Sequence, residues 1–185
     1  MKRLDAEDQW FPYVSRRGFM IAGPLFLTVG SLSSADTQIQ TTASHPVKLW
    51  IDGDIGARTS GNGFEFLQQS LDALPQIEFA TSTIWTDDVV VFSGPTLKAV
   101  LESADSGSGD VMATAINQYR VTIPRSYIED DAPIIATRIN GKSFSIREKG
   151  PLWIVFPYDR APKFQTELIY AMSVWQLERL TVAET

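Results

Sequence analysis

The 185-residue chain contains no cysteine and only one histidine, His45. Without thiols there can be no disulfide bond and no thiolate ligand for zinc, an iron–sulfur cluster or molybdenum. His45 lies in a polar segment away from any patterned core. A serine–histidine–acid triad, a histidine-paired nucleophile and a multi-histidine metal site are therefore excluded as well. Composition alone therefore excludes the hydrolytic enzymes that depend on cysteine or on several histidines.

The sequence also lacks clustered positive charge. It has 16 Lys and Arg residues against 22 Asp and Glu residues, and its net charge is -6. Nucleic-acid binding depends on grouped cations that neutralise phosphates. We therefore expect no nucleic-acid partner.

The apolar run over residues 21–32 is too short for a membrane span, which needs about 20 apolar residues, and a Gly-Pro pair interrupts it. The pair Arg16-Arg17 lies just before this run. Together these features predict a twin-arginine export signal over residues 1–35, which is an address read by a receptor. An uncleaved membrane anchor and a chance arginine pair are the alternatives. The export interpretation places the protein in the periplasm.

The rest of the chain is expected to form one domain. Residues 36–46 are polar and predict a flexible tether, and residues 47–185 are long enough for a single well-formed core. Alternating and short apolar runs predict strands at 47–51, 77–83, 89–92, 111–115, 119–123, 134–139, 152–156 and 174–182. Helical spacing predicts helices at 65–74, after the capping residue Thr96, and at 166–172. The fold class is therefore α+β and mostly β.

Several motifs, taken in order along the chain, carry a family resemblance. They are Phe92-Ser-Gly-Pro-Thr-Leu97, the hairpin signal Asn140-Gly141, Lys149-Gly-Pro-Leu152 and Pro157. In these motifs the chain resembles sulfite-oxidase-type molybdopterin-binding domains, over most of residues 47–185. The resemblance implies the molybdopterin-binding domain fold of that family and an oxidoreductase ancestry.

One departure from that family changes the expected chemistry. Its enzymes hold the metal with a cysteine thiolate a few residues before a tryptophan, and here Thr81 stands at that place, ahead of Trp85. A threonine hydroxyl is a hard donor that stays protonated near neutral pH, so it cannot replace a soft thiolate on molybdenum. We therefore expect no catalytic and no metal-binding residues.

A closer resemblance is to small periplasmic pterin-binding regulators of the PruR kind, which have this fold and lack the cysteine. The matching segments are Trp85-Thr-Asp87, Ala115-Ile-Asn-Gln-Tyr119, Arg147-Glu-Lys-Gly-Pro-Leu-Trp153 and Ser173-Val-Trp-Gln-Leu177. The resemblance implies a non-catalytic sensor that binds a reduced, metal-free pterin. The implied partner is the periplasmic domain of an inner-membrane signalling protein, namely a cyclic-di-GMP cyclase or phosphodiesterase or a sensor kinase.

Two other functions stay open at this point. One is a molybdopterin-dependent oxidoreductase that lacks the usual cysteine ligand, and the other is a structural interaction subunit with a vestigial pocket.

A pterin site needs an aromatic platform for a flat ring and polar groups for the amide and amine edge of that ring. Trp85 is the candidate stacking face, with Thr81 in the same segment. Asn117 could serve the ring edge through its amide, and it projects to the same side as Tyr119 if the strand is regular. The alternatives are that Trp85 is ordinary core and that Asn117 is a turn residue capping its own backbone.

A charged segment before the Gly-Pro pair at 150–151 completes the candidate site. Glu148 is a candidate acceptor for the pterin amine, and the flanking Arg147 and Lys149 could hold a carbonyl or an anionic tail. A solvated surface is the alternative for these three charges. Trp153, at the start of the following strand, is a candidate ligand residue whose alternative is the core.

Overall fold

The computed structural model describes residues 48–59 and 61–185. The predicted export signal at 1–35 and the predicted tether at 36–46 lie outside these residues. The described part of the chain is α+β and mostly β, as the sequence predicts, with ten strands, three short α-helices and four 3-10 helices. No helix in this part is long and apolar enough to span a membrane.

The strands and helices follow the chain in this order. The strands are β1 (Lys48–Gly53), β2 (Gly63–Leu67), β3 (Gln76–Thr81), β4 (Val90–Pro95), β5 (Val111–Ala115), β6 (Arg120–Ile123), β7 (Ile134–Ala136), β8 (Arg138–Ile139), β9 (Trp153–Val155) and β10 (Leu177–Val182). The α-helices are α1 (Gln68–Asp72), α2 (Leu97–Ser103) and α3 (Glu167–Met172). The 3-10 helices are Arg125–Tyr127, Ile146–Glu148, Tyr158–Arg160 and Pro162–Phe164.

Threonine side chains begin two of the α-helices. The Thr96 hydroxyl accepts a hydrogen bond from the backbone nitrogen of Ala99, and the Thr166 hydroxyl accepts one from that of Ile169. Each bond satisfies a backbone N–H that the first helical turn leaves unpaired. The cap predicted at Thr96 is therefore confirmed.

Five strands form the largest sheet, in the order β2-β1-β10-β5-β6. The β1–β10 pair is parallel, and the other pairs are antiparallel. Paired residues point to the same face of a sheet. One face carries Ile51, Leu180 and Ala113, which are fully buried in the core. The opposite face carries polar side chains, among them Arg179 and Arg120.

Two smaller sheets complete the core, one of β3, β4 and β8 and one of β7 and β9. The single strand predicted at 134–139 is wrong, because the chain changes partner at Thr137: β7 pairs with β9, and β8 pairs with β4. The apolar run in the sequence does not indicate where the chain changes its partner strand. The turn after β8 has positive φ angles of 50° at Asn140 and 74° at Gly141, so the predicted two-residue hairpin is confirmed.

The helix predicted at 65–74 is wrong in its first part. Gly63–Leu67 forms β2, which pairs with β1, and only Gln68–Asp72 is helical. Phe66 from the strand and Leu71 from the helix are both buried, so two short elements together reproduce a helical spacing. Leu67, which one long helix would have buried, is exposed.

Candidate functional site

The segment that carries the first candidate residues begins at the end of β3. Thr81 is fully buried there. Its hydroxyl accepts a hydrogen bond from the backbone nitrogen of Asp159 at 3.1 Å and donates one to the backbone oxygen of Ser82 at 3.2 Å. Both roles of the hydroxyl are thus taken by the backbone, and Thr81 offers no free group to a metal or a ligand.

A carboxylate clamps the start of the loop that follows. Asp159, in the 3-10 helix Tyr158–Arg160, accepts hydrogen bonds from the Ser82 backbone nitrogen at 2.6 Å and from the Ser82 hydroxyl at 2.7 Å. These donors hold the pKa of the Asp159 carboxyl below its ordinary value. The loop leading to Trp85 is therefore fastened to a distant part of the chain at its first residue.

Inside the loop, two threonine side chains fix the backbone around Trp85. The Thr83 hydroxyl accepts a hydrogen bond from the Trp85 nitrogen at 3.0 Å and lies 2.9 Å from the Thr86 hydroxyl. The Thr86 hydroxyl donates to the backbone oxygen of Asp88 at 3.1 Å. This local turn orients the Trp85 indole towards the core.

Trp85 belongs to an aromatic cluster, here the Trp85 cluster, whose other members are Phe92, Trp153, Tyr158 and Tyr170. Its ring centroid lies 5.7 Å from that of Trp153, 5.9 Å from that of Tyr170 and 6.4 Å from that of Tyr158. All three contacts are edge-on, the arrangement that aromatic quadrupoles prefer. Trp85 is half-buried and packs against the buried rings, so it lies between them and the solvent.

The indole Nε1 of Trp153, which packs against Trp85, has no hydrogen-bond partner. It is the one buried side-chain nitrogen or oxygen in residues 48–59 and 61–185 without one. Trp153 is only 1% exposed and contacts both Trp85 and Phe92. An indole N–H can only donate, and leaving such a donor unsatisfied in a protein interior costs about 1–3 kcal/mol. The structure thus brings Trp85 and Trp153 together, and the Trp153 indole carries an unused donor.

Tyr158 and Ser173 form a second polar feature of the cluster, which the sequence does not predict. The buried Tyr158 hydroxyl donates to Ser173 Oγ at 2.7 Å, and Ser173 Oγ donates to the backbone oxygen of Ile169 at 2.7 Å. Burial raises the pKa of the Tyr158 hydroxyl far above its ordinary value, so this group stays protonated. No local motif marks the pair, because its members stand 15 positions apart.

The structure places Asn117 and Tyr119 in the turn between β5 and β6, not on a regular strand. The Asn117 side-chain oxygen accepts a hydrogen bond from the Tyr119 nitrogen at 3.0 Å, which is the backbone-capping arrangement named above as the alternative. Gln118 between them has a φ of 69°, so strand alternation does not apply. Tyr119 is 46% exposed, and its hydroxyl donates to the backbone oxygen of Ala171 in α3.

The charged segment before the Gly-Pro pair forms the 3-10 helix Ile146–Glu148. The Glu148 carboxylate accepts hydrogen bonds from the Ser145 nitrogen and hydroxyl, both at 2.8 Å, and closes a capping box. The backbone donor, with the hydroxyl, lowers the pKa of Glu148. Arg147 is exposed, and the Lys149 ammonium lies 6.0 Å from the centroid of the Trp175 ring. Glu148 is therefore engaged in stabilising its own helix.

The segment around Trp175 connects these outer residues to the Trp85 cluster. Trp153 pairs with Trp175 through an isolated β-bridge. The next residue, Gln176, donates its backbone N–H to Lys149 and accepts a backbone hydrogen bond from Ile116, beside Asn117. Trp85 and Trp153 thus belong to the Trp85 cluster. The other candidate residues, apart from Thr81, lie in two adjoining segments, the turn at 116–119 and the segment at 146–149.

Two clefts open elsewhere on the molecule, on the polar face of the five-stranded sheet. One has a volume of about 540 Å³, and the other has a volume of about 400 Å³. None of the candidate pterin residues lines either cleft. In the described part of the chain, no three His, Cys, Asp or Glu side chains are grouped so as to hold a metal ion.

The described part of the chain is an α+β domain that is mostly β, and Trp85 covers part of its aromatic cluster. No protein-family model and no curated protein matches the chain. Among solved structures it is similar to the sulfane dehydrogenase SoxCD from Paracoccus pantotrophus, with a TM-score of 0.57 and 16% sequence identity. The match covers 75% of this chain and 38% of that one, so this chain spans well under half of the enzyme. At this identity the likeness concerns the fold.

Proposed function

We propose that this chain is a non-catalytic periplasmic protein that binds a reduced, metal-free pterin and regulates a membrane-bound signalling enzyme. The enzyme would be a cyclic-di-GMP cyclase or phosphodiesterase or a sensor kinase. The support is the resemblance of the motifs to sulfite-oxidase-type domains and to the cysteine-less regulators of the PruR kind. The likeness of the fold to part of a sulfane dehydrogenase is consistent with it.

The observation that carries the proposal is the unsatisfied Nε1 of Trp153 beneath Trp85. A pterin presents a carbonyl oxygen and ring nitrogens as acceptors, so the indole N–H supplies the donor that such an edge requires. Trp85 supplies an aromatic face at the same place. The residue types of the Trp85 cluster therefore fit a flat heterocycle with a polar edge.

The position of the family's metal ligand does not fit a molybdenum ion here. The side chain at the family's cysteine position is Thr81, whose hydroxyl is buried and already bonded on both sides. A hard oxygen donor of this kind does not substitute for a thiolate. Binding without turnover is thus the chemistry that the residues support, and stoichiometric molybdenum in the isolated protein would contradict it.

The test is equilibrium dialysis of the full chain against dihydropterin, with the bound pterin measured by mass spectrometry. Trp153→Phe removes the unpaired indole N–H and should reduce binding at least about tenfold, the loss of one good hydrogen bond. Trp50→Phe is the matched control, because it also removes one indole N–H, which donates to Asp52 on the polar sheet face. It should leave binding unchanged.

Trp85→Ala provides a second variant in case Trp153→Phe fails to fold. Trp85 is half-buried, so its loss should disturb the fold less than the loss of the buried Trp153 would, while the aromatic face is removed. Failure of the unmodified chain to bind dihydropterin, or unchanged binding by both cluster variants, would overturn the proposal.

A structural interaction subunit with a vestigial pocket is the second candidate, favoured by the absence of candidate residues from both clefts. The two functions differ in what Trp85→Ala does in cells. If the protein is a sensor, cells with Trp85→Ala should no longer change their cyclic-di-GMP level when pterin is added. If it is a structural subunit, these cells should signal as before.

A further inference from the structure

The polar face of the five-stranded sheet carries a row of side chains that no function so far uses. The pairings Trp50 with Arg179, Arg179 with Thr114, and Thr114 with Arg120 align four residues across four neighbouring strands. Because paired residues share a face, the two arginines stand on either side of Thr114. Strands lie about 4.8 Å apart, so their backbones are separated by about 10 Å.

A β-bulge shapes the cleft of about 400 Å³ beside this row. The register of β10 against β5 shifts between Leu177 and Arg179, which leaves Glu178 as an extra residue. A bulge redirects side chains locally, and here both Glu178 and Arg179 line the cleft, together with Thr114 and Arg120. The cleft therefore has two cations, one carboxylate and the hydroxyls of Thr114 and Thr181 in a volume suited to a small molecule.

Arg179 is held in place by a hydrogen bond to Asp52 that occupies only part of its guanidinium. Asp52 accepts hydrogen bonds from Thr181 Oγ1 at 2.7 Å, from Arg179 Nη1 at 2.9 Å and from Trp50 Nε1 at 3.2 Å. This network fixes one corner of the guanidinium. A guanidinium has five N–H donors, and no other described residue accepts a hydrogen bond from the guanidinium of Arg179.

Arg120 is freer still. It is exposed, and its one side-chain contact in the described residues is to Gln118 Oε1 at 3.4 Å, which is a weak hydrogen bond. Its guanidinium can therefore turn towards a ligand beside Arg179. Arginine pairs of this kind recognise carboxylate and phosphate groups, because the planar fork can donate two parallel hydrogen bonds to one group.

The second cleft, of about 540 Å³, lies on the other side of Arg179 and Thr181 and provides room for the rest of a ligand. Arg58 lines it and is tied back by hydrogen bonds from Nη1 to the Asn62 oxygen at 2.8 Å and from Nη2 to the Ile55 oxygen at 3.0 Å. A fixed positive charge thus stands in this part of the face.

We infer that this sheet face binds a small molecule bearing a carboxylate or a phosphate group, held between Arg120 and Arg179. Arg120 and Arg179 line the cleft of about 400 Å³ with one carboxylate, that of Glu178, and Asp52 on the neighbouring strand pairs with Arg179. The free guanidinium donors of the two arginines, and not a net positive charge, attract an anion to this face. Glu178 opposes the anion and sets an upper limit on affinity.

The test is an NMR titration of the nitrogen-15-labelled full chain with inorganic phosphate and, separately, with citrate, at constant ionic strength. The backbone amides of Thr114, Arg120 and Arg179 should shift together. A stronger response to citrate than to phosphate would identify a carboxylate as the natural group, and the reverse order would identify a phosphate.

Three variants make the result specific. Arg120→Gln should weaken binding about tenfold, the loss expected for a charge-assisted contact. Glu178→Gln should strengthen binding about threefold, because it removes a negative charge that repels the anionic ligand. Arg160→Gln removes an exposed arginine outside both clefts, one that pairs with Asp131, and should change nothing. Absence of saturable shifts, or equal effects of Arg120→Gln and Arg160→Gln, would overturn the inference.

Discussion

Asp159 and Ser82 stand 77 positions apart, yet the carboxylate of the one accepts hydrogen bonds from both the backbone nitrogen and the hydroxyl of the other, at 2.6 Å and 2.7 Å. The contact joins the end of β3 to the 3-10 helix Tyr158–Arg160. The loop that carries Trp85 begins at this contact. The clamp is therefore the part of the site most open to mutational test.

Replacing Asp159 with Ala should release the loop that carries Trp85. The lost hydrogen bonds are solvent-exposed, so we expect the free energy of unfolding to fall by only about 1 kcal/mol. Trp85 should become more accessible to a fluorescence quencher. Asp131→Ala, which removes an exposed ion pair with Arg160, is the control and should leave the quenching unchanged. Equal quenching in the two variants would contradict the clamp.

The ion pair of Asp72 with Arg138 should make stability depend on pH. Arg138 donates from Nη1 and Nη2 to the two carboxylate oxygens of Asp72, at 2.8 Å and 2.9 Å. Chiefly because of these bonds, the pKa of Asp72 is lowered from its ordinary value of 3.8. A depressed carboxyl pKa stabilises the fold above the unfolded value, and this stability is lost as the pH falls through the folded value.

Urea denaturation at several pH values measures this dependence. The difference in unfolding free energy between the unmodified chain and Asp72→Asn should be constant near neutrality and should shrink below about pH 4. A difference that persists unchanged at pH 2 would contradict the assignment.

The buried hydroxyl pair of Tyr158 and Ser173 should respond asymmetrically to mutation. Ser173→Ala leaves the Tyr158 hydroxyl in the core without an acceptor, so we expect a loss of about 1–3 kcal/mol. The double variant with Tyr158→Phe removes both partners and should be more stable than Ser173→Ala alone. A double-mutant cycle by chemical denaturation measures the coupling, and additive effects would contradict it.

The Gly-Pro motif of the Phe92–Leu97 segment has a packing explanation. A Cβ atom at Gly94 would collide with the backbone oxygen of Ile135, because β4 lies directly against β7 there. Gly94→Ala should therefore lower the free energy of unfolding by about 2–4 kcal/mol. Ser93→Ala, one residue earlier in β4, serves as the control in thermal denaturation. Similar melting temperatures for the two variants would contradict the close approach.

Local signals made part of the fold predictable. The Thr96 cap and the Asn140-Gly141 turn are decided by a few neighbouring residues, and both are confirmed. The strand β2 was missed because its pairing with β1 depends on residues elsewhere in the chain, which a helical spacing within 65–74 does not record. Element type is thus most predictable where the deciding contacts are short-range.

The site was less predictable than the fold. Trp85 and Trp153 were chosen for their residue type, and the structure places them in contact. That Nε1 of Trp153 lacks a partner could not be foreseen, because it depends on how several separate segments pack around one atom. Asn117 and Glu148 were named as ligand residues, yet their side chains cap the local backbone, as such residues often do in turns.

The most direct test of the pterin proposal is to recover the protein from the periplasm of its own cells, denature it and analyse the released small molecules by fluorescence and mass spectrometry. The account predicts a reduced pterin in a ratio near one to one with the protein, and no stoichiometric molybdenum. Protein that releases no pterin and does not bind dihydropterin when titrated would contradict it.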